Sequence, residues 1–376
     1  MKKNKISYLV LSDIHLGHNI NKTENIINNL QMYFKENYKE FSKLDMICIA
    51  GDVFDKLLVS SSIDFLLATE WLTELIVFCK QHDIVLRILE GTPSHDRNQS
   101  KVITSIIKKL NIELDYKYID TLYIEHHNRL GIDILYIPDE YKHKAEDTYK
   151  EVLELLTERK LKKVDIAFIH GQFHYQLPMV KLDSSHNMED YLNIVKYYIS
   201  IGHIHTPSVY ERIIAQGSFD RLAHNEEEDK GGVMITLTEK ESSFKFVYNK
   251  NAMIFKTYRF DKESIEEITN ILDKDLKKMK DKSNIRIISN SEEFLSSNIK
   301  DLRLRYPNIN IKIEKSKNKE ENKFNIIEEL PKIETFSITK DNILDLITLE
   351  LNKYNLTEKE IKELKSEVIN IIDNIP

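Results

Sequence analysis

Cysteine is scarce in this chain, with two in 376 residues, Cys48 and Cys79. That scarcity leaves no room for a disulfide framework. Cys48 sits in an apolar run and Cys79 in a helical pattern, so both read as buried thiols in a reducing compartment. No apolar run approaches the roughly 20 residues that cross a bilayer. The run from Ile6 to Leu11, behind Met1-Lys2-Lys3-Asn4-Lys5, is too short for a secretory leader. The expected location is the cytoplasm, with no membrane partner. A Gly-rich phosphate loop and an internal repeat are also missing, which removes nucleotide hydrolysis of the P-loop kind and solenoid architectures. Basic excess is missing too: Lys and Arg number 54 against 61 Asp and Glu, a net charge of -7. Composition therefore carries no nucleic-acid footprint, although a cation-loaded site and local Lys clusters can act inside an acidic protein. What remains is a soluble globular chain, 41% hydrophobic and 31% charged, long enough for a full core and a second, smaller domain.

Hydrophobic periodicity predicts strands at 6–11, 46–50, 84–89, 121–125, 132–137, 165–169, 198–201, 211–215 and 232–238. Helices are predicted at 22–40, 61–82 and 145–160, the second with Leu66, Leu67, Trp71, Leu75 and Phe78 on its apolar positions. Continuous apolar runs such as 46–50 and 166–169 suit strands buried on both faces. Strand, motif, helix, strand, motif is the rhythm of an α/β sandwich with its chemistry on loops at the carboxyl ends of strands. The organisation expected is a main domain over 1–250 and a small α-β-α-β unit over 255–314, with helices at 262–281 and 292–304 and strands at 284–289 and 308–314. A Lys-, Glu- and Asn-rich linker follows at 315–336, then helical patterns at 337–376 with Thr357 and Glu360 as a capping pair.

Five short segments place metal-ligand side chains just beyond predicted strands: Ser12-Asp13-Ile14-His15, Gly51-Asp52-Val53-Phe54-Asp55, Ser94-His95-Asp96, His170-Gly171 and Gly202-His203-Ile204-His205. Two divalent cations a few Å apart need carboxylate and imidazole ligands and one shared anionic ligand. Asp13 and His15, two apart beyond a strand end, can turn into one pocket, and His203 and His205 repeat that spacing. Asp52, ending the neighbouring strand, is the natural bridging carboxylate. Each segment alone is a common loop or turn; the five together, in this order, point to a two-metal site.

The chain resembles the calcineurin-like metallophosphoesterases, and within them the SbcD-type nuclease subunit of bacterial or phage DNA double-strand-break repair. The narrower resemblance rests on Asp-Ile-His-Leu-Gly at 13–17, Gly-Asp-Val-Phe-Asp at 51–55 and Gly202-His203-Ile204-His205-Thr206-Pro207. Ala215-Gln216-Gly217-Ser218-Phe219 and then an acidic run before Lys230-Gly231-Gly232 add to it. It covers roughly residues 5–240, and the later unit resembles the family's capping domain in its order of elements. The resemblance implies a two-sheet α/β/β/α sandwich and two divalent cations, Mn²⁺ first and Mg²⁺ second. In-line attack on phosphorus would proceed with no covalent enzyme intermediate. Asp13, His15, Asp52 and His205 would hold the first cation and Asp52, His170 and His203 the second, with Asp55 supporting the metal loop. It also implies a homodimer, with the helices at 22–40 and 61–82 as candidate faces. DNA is the expected substrate, and an SbcC-type, SMC-like coiled-coil ATPase the expected partner, docked on the C-terminal helices and supplying the nucleotide hydrolysis this chain lacks.

One motif departs from the family, which has Gly-Asn-His followed by Asp or Glu. Here Gly91-Thr92-Pro93-Ser94-His95-Asp96 is two residues longer and has no Asn. Alignment from the His-Asp end leaves Ser94 in the ligand position, His95 to protonate or hydrogen-bond the leaving oxygen and Asp96 to orient it. In the alternative, His95 itself is a ligand. Arg97, Lys101 and Arg221 flank the motifs as candidate contacts to a nucleic-acid backbone. His174 reads as a loop histidine near the cleft, His126-His127 as a hairpin turn, and Glu226 to Asp229 as an acidic loop. Two other readings stay open: a phosphoesterase of small molecules or phosphoproteins, and a catalytically weak scaffold that binds DNA ends.

Overall fold

A computed structural model describes residues 4–139, 141–177, 182–238, 241–260, 263–290 and 300–315. The polar linker beyond Lys315 and the helical patterns at 337–376, with Thr357 and Glu360, lie outside those residues. Two six-stranded sheets dominate. The first contains β1 (Lys5–Leu11), β2 (Met46–Ala50), β3 (Val85–Leu89), β4 (Tyr116–Ile119), β11 (Gly231–Thr238) and β12 (Ser242–Tyr248), in the order β12-β11-β1-β2-β3-β4. The second contains β5 (Tyr123–His127), β6 (Ile132–Ile137), β7 (Ile166–His170), β8 (Ile199–Gly202), β9 (Ser208–Tyr210) and β10 (Ile213–Ala215), in the order β5-β6-β7-β8-β10-β9. β1, β2 and β3 run parallel, as do β6, β7 and β8.

Alternation along these strands builds the layers. Tyr8 and Val10, Met46 and Cys48, and Val85 and Leu89 point inward to meet Ile134, Tyr136, Ile166 and Phe168 of the second sheet. The intervening residues of the first sheet, such as Leu9, Ile47 and Leu86, turn outward onto α1 (Thr23–Glu36) and α3 (Ile63–Gln81). Those of the second sheet, such as Leu135, Ala167 and Ile199, turn onto α5 (Ala145–Glu158) and α6 (Met188–Ile194). The result is the expected α/β/β/α sandwich, each fully buried Leu, Ile or Phe contributing about 1.5–3 kcal/mol. Arg87 of β3 fastens the two sheets: its Nε and Nη2 donate to the Glu125 carboxylate of β5, both at 2.9 Å, and Tyr136 donates to the same group at 3.0 Å.

Some elements differ from expectation. The helix at 22–40 breaks at Asn37 into α1 and a single turn, α2 (Tyr38–Phe41). In α3, Trp71 and Leu75 are buried, whereas Leu66 is 55% exposed, because nearly every face of this helix is apolar and packing alone chooses the buried one. The structure adds α4 (Val102–Lys109), β4, β9 and β12. Residues 255–315 form a small parallel sheet of β13 (Phe255–Phe260), β14 (Asn284–Ser289) and β15 (Asn310–Lys315), with α7 (Ile265–Leu276) and helical residues 300–305. A separate apolar cluster that includes Tyr258, Ile268, Leu272, Ile287 and Leu302 holds it together. Ser264 and Glu267 close the N-terminus of α7 as a capping box. Among the described residues no helix is long and apolar enough to cross a membrane.

Candidate metal centre

The carboxyl ends of β1, β2 and β3 in one sheet and of β6, β7 and β8 in the other converge on one cluster. Beyond β1 and β2 the chains stay paired: Asp13 N–H donates to the Gly51 carbonyl at 3.1 Å, and the amides of Ile14 and His15 to the Asp52 carbonyl at 2.8 and 3.1 Å. This pairing holds Asp13, His15 and Asp52 at φ values of 50°, 55° and 51°, with His203 at 98°. The left-handed region costs a side-chain-bearing residue about 1–3 kcal/mol, and strain of this kind gathers where geometry serves function. Gly51 makes the cluster possible, since a Cβ there would lie 2.1 Å from His170 Nδ1.

Six residues expected to share the site do so. Asp13, His15 and His205 offer ligand atoms within 4.8 Å of one another, as do Asp52, His170 and His203, and also His15, Asp52 and His95. Asp52 belongs to two of these triads; its Oδ2 is 3.7 Å from His15 Nε2 and 3.4 Å from His170 Nε2. Three of the four expected imidazole ligands are oriented from behind. His170 Nδ1 meets the Ala50 carbonyl at 2.6 Å, His205 Nδ1 meets Glu226 Oε1 at 2.7 Å, and His15 Nδ1 faces Asp55 Oδ1 at 3.3 Å. Asp13 is fully buried and accepts from Ser12 Oγ at 2.5 Å and from the His203 amide at 3.0 and 3.1 Å.

These donors fit a cation. Nδ1 of His15 and of His205 each faces a carboxylate, and their Nε2 atoms face each other at 3.0 Å, a spacing that suits one shared proton or two nitrogen donors turned on one cation. The field is strongly negative: burial would lower the His170 pKa, but Asp52, then Asp13 and Asp139, hold it well above the usual imidazole range. Burial likewise acts to raise Asp52, and the charge and hydrogen bond of His170, with His15 and His95, hold it below the usual carboxylate range. For His205 burial acts to lower the pKa, but the hydrogen bond to Glu226 and the charges of Asp13 and Glu226 together raise it.

The loop after β3 corrects the alignment made from its His-Asp end. The amides of His95 and Asp96 both bond the Thr92 carbonyl, at 2.9 and 3.0 Å, and this turn leaves Pro93 and Ser94 at its exposed apex. Ser94 is not in the cluster. Thr92 is, with its amide on Asp52 Oδ1 at 2.6 Å and its Oγ1 3.0 Å from Asp139, 3.2 Å from His203 and 3.3 Å from Asp52 Oδ2. Asp96 does not orient His95 either: it is fully buried and accepts from the amides of Phe54 and Gly91 at 2.8 and 2.9 Å, tying two site loops together. His95 stands half-open at the mouth, 3.3 Å from His15 and 4.0 Å from Asp52.

Arg221 is not a free surface cation, because its guanidinium donates to the carbonyls of Glu228 and Met253 at 2.9 and 3.2 Å. Lys101 pairs with Asp120 at 2.8 Å, while exposed Arg97 donates to the Ser94 carbonyl of its own loop at 3.2 Å. His126 and His127 end β5 rather than forming the turn and pair with Asp133 and Asp115. His174 is half-buried, its amide bonded to the His186 carbonyl. Three contributors lie outside the expected set: Thr92; Asp139, two residues beyond β6; and Glu226, part of the expected acidic loop but buried behind His205.

No protein-family model and no curated protein matches the chain. Among solved structures it is similar to the Plasmodium protein described as GAP50, the anchor in the inner membrane complex. That match has 14% identity and a TM-score of 0.39, over 66% of this chain and 86% of that one. It is also similar to TT1561 of Thermus thermophilus, at 10% identity and a TM-score of 0.37, over 64% of this chain and 99% of that one.

Proposed function

We propose that this chain is a two-metal phosphodiesterase of the calcineurin-like kind, cutting DNA as an SbcD-type nuclease subunit. The observation that carries the reading is Asp52, one buried carboxylate facing histidine pockets contributed by both sheets. Bound there, two divalent cations, Mn²⁺ or Mg²⁺, supply the charge that acidifies a water and neutralises phosphoryl oxygens. The protein's own part is to hold its donors ready. Ala50, Glu226 and Asp55 hold Nδ1 of His170, His205 and His15 from behind, so that each Nε2 faces the pocket and would bind a cation on giving up any proton it carries. Asp13, with one side committed to the His203 amide and Ser12, is held on the pocket of His15 and His205. Thr92 and Asp139 close the pocket of His170 and His203, and Thr92 stands where the family has Asn. His95, open to solvent at the mouth, is placed to hydrogen-bond or protonate the departing oxygen, or to serve as a further ligand beside His15 and Asp52.

The resemblance extends this to a homodimer and to a coiled-coil ATPase on residues 337–376. Ile63 and Leu66, 74% and 55% exposed on α3, support the first. The test is Mn²⁺-dependent degradation of an end-labelled linear DNA duplex by the parent and by Asp52→Asn. Cleavage by the parent alone, with bis-p-nitrophenyl phosphate hydrolysed far more slowly than DNA, supports the reading. Hydrolysis of the small ester with DNA untouched would move the assignment to a small-molecule phosphodiesterase.

A further inference from the structure

The segment 218–230 touches both the metal centre and the 255–315 sheet. On the side of the centre, buried Glu226 holds the His205 ring at 2.7 Å while its second oxygen accepts from the Leu222 amide at 3.1 Å and Ser218 Oγ at 3.3 Å. Lys230, whose side chain is fully buried, donates to the His205 carbonyl at 2.8 Å and lies 3.3 Å from Glu226 and 2.8 Å from Glu228. Ring and backbone of His205 are thus gripped by one short stretch. Burying an ammonium group is costly unless it is fully paired, and here it is spent on fixing one histidine.

On the far side the same stretch is fastened to the start of the later sheet. Asp220 accepts from the Met253 amide at 2.7 Å, and Arg221 donates to the Met253 carbonyl at 3.2 Å. Glu227 accepts from the Thr257 amide of β13 at 2.9 Å. β13 is the edge of its sheet and is paired through Thr257 to Arg286 of β14, so this hydrogen bond reaches the body of that unit. Glu226 and Glu227 are adjacent, one bonded to the ligand histidine and the other to the sheet.

We infer that Glu226 and Glu227 act as a positioning pair through which the 255–315 sheet sets the affinity of the cation pocket around His205. Glu226 orients the imidazole, and Glu227 anchors the backbone that carries Glu226. The inference rests on the metal reading above and goes beyond it, because it makes cation occupancy depend on a unit that contributes no ligand to the pocket.

Mn²⁺ titration of the full chain, followed by electron paramagnetic resonance of the free ion, tests it without any substrate. Glu226→Gln keeps an acceptor but loses the charge, and binding at the His205 pocket weakens about 10–100-fold. Glu227→Ala weakens it by roughly 2–12-fold, at most the worth of one hydrogen bond, while the melting temperature falls by no more than a few degrees. Glu227→Gln, which retains the acceptor for Thr257, binds as the parent does. The double variant Glu226→Gln with Glu227→Ala binds within about twofold of Glu226→Gln alone, because both act through one imidazole. Parent-like binding by Glu227→Ala, equal losses in Glu227→Gln and Glu227→Ala, or a double variant showing the product of the two losses would each overturn the coupling and leave the metal reading intact. A parent that binds no Mn²⁺ overturns both.

Discussion

Thr92 and Ser94 offer a direct contest between two placements of the same loop. Thr92→Val keeps the shape of the side chain and the amide bond to Asp52 but removes a hydroxyl lying 3.0 Å from Asp139 and 3.3 Å from Asp52. A single hydroxyl proton serves one carboxylate at a time, and a hydrogen bond to a charged group is worth about 1.5–3 kcal/mol. At 1.4 kcal/mol per tenfold, that is roughly a 10–150-fold loss of Mn²⁺ affinity in the pocket of Asp52, His170 and His203. Ser94→Ala alters an exposed side chain at the loop apex, and such changes stay within about 0.5 kcal/mol, or roughly twofold. Isothermal titration with Mn²⁺ reads both, and thermal melts confirm that each variant is folded. If Ser94→Ala weakens binding more than Thr92→Val, the geometry of the turn at Thr92 is wrong and the reasoning built on it fails.

Gly51→Ala should cost about 2–5 kcal/mol of stability, the sum of a left-handed backbone at φ 90° and overpacking against His170; chemical denaturation reads it, and a loss below about 1 kcal/mol refutes the close approach. Glu125 is pushed up by burial but held down to about 2 by Arg87, against an ordinary 4.5, so its contribution is present above pH 4.5 and fades as pH falls toward 2. Melting temperatures across that window should fall less in Glu125→Gln than in the parent, and parallel curves would contradict the pairing. Asp220 has the opposite sign, since burial raises it to about 6 despite its hydrogen bonds, and the stability it contributes below pH 4 is lost as pH rises through 6; Asp220→Asn should remove that decline. Arg221→Ala should lower stability by about 1–2 kcal/mol and leave the salt dependence of DNA binding alone, whereas Arg97→Ala should reduce the salt slope by about one with no change in melting; the reverse pattern would restore Arg221 as a surface contact.

Where an element is a largely apolar run closed by turn residues, sequence and structure agree to the residue, as at 46–50 and, with Asp133 as its one polar member, at 132–137. β12 and β4 were missed because they are edge strands carrying polar side chains on open faces, which leaves no apolar run to see. The ligand set was legible because each member follows a strand at short range, and six such residues meet in space. The loop after β3 was not, because two extra residues can bulge on either side of the His-Asp pair and only the turn at Thr92 decides between them. Asp139 carried the same signal as the other ligands, a carboxylate just past an apolar strand, and could have been found by it. Glu226 carried none: an acidic run reads as solvated until its partners, His205, Ser218 and Lys230, are brought to it by the fold.

The claim on which the rest depends is that Asp52 is shared by two cation pockets, one on either side of it. Anomalous scattering from crystals grown with Mn²⁺ tests this most directly. Two peaks about 3.5–4 Å apart with Asp52 between them, the first beside His15 and His205 and the second beside His170 and His203, are the predicted result. A single peak remote from Asp52, or none at saturating Mn²⁺, would contradict it.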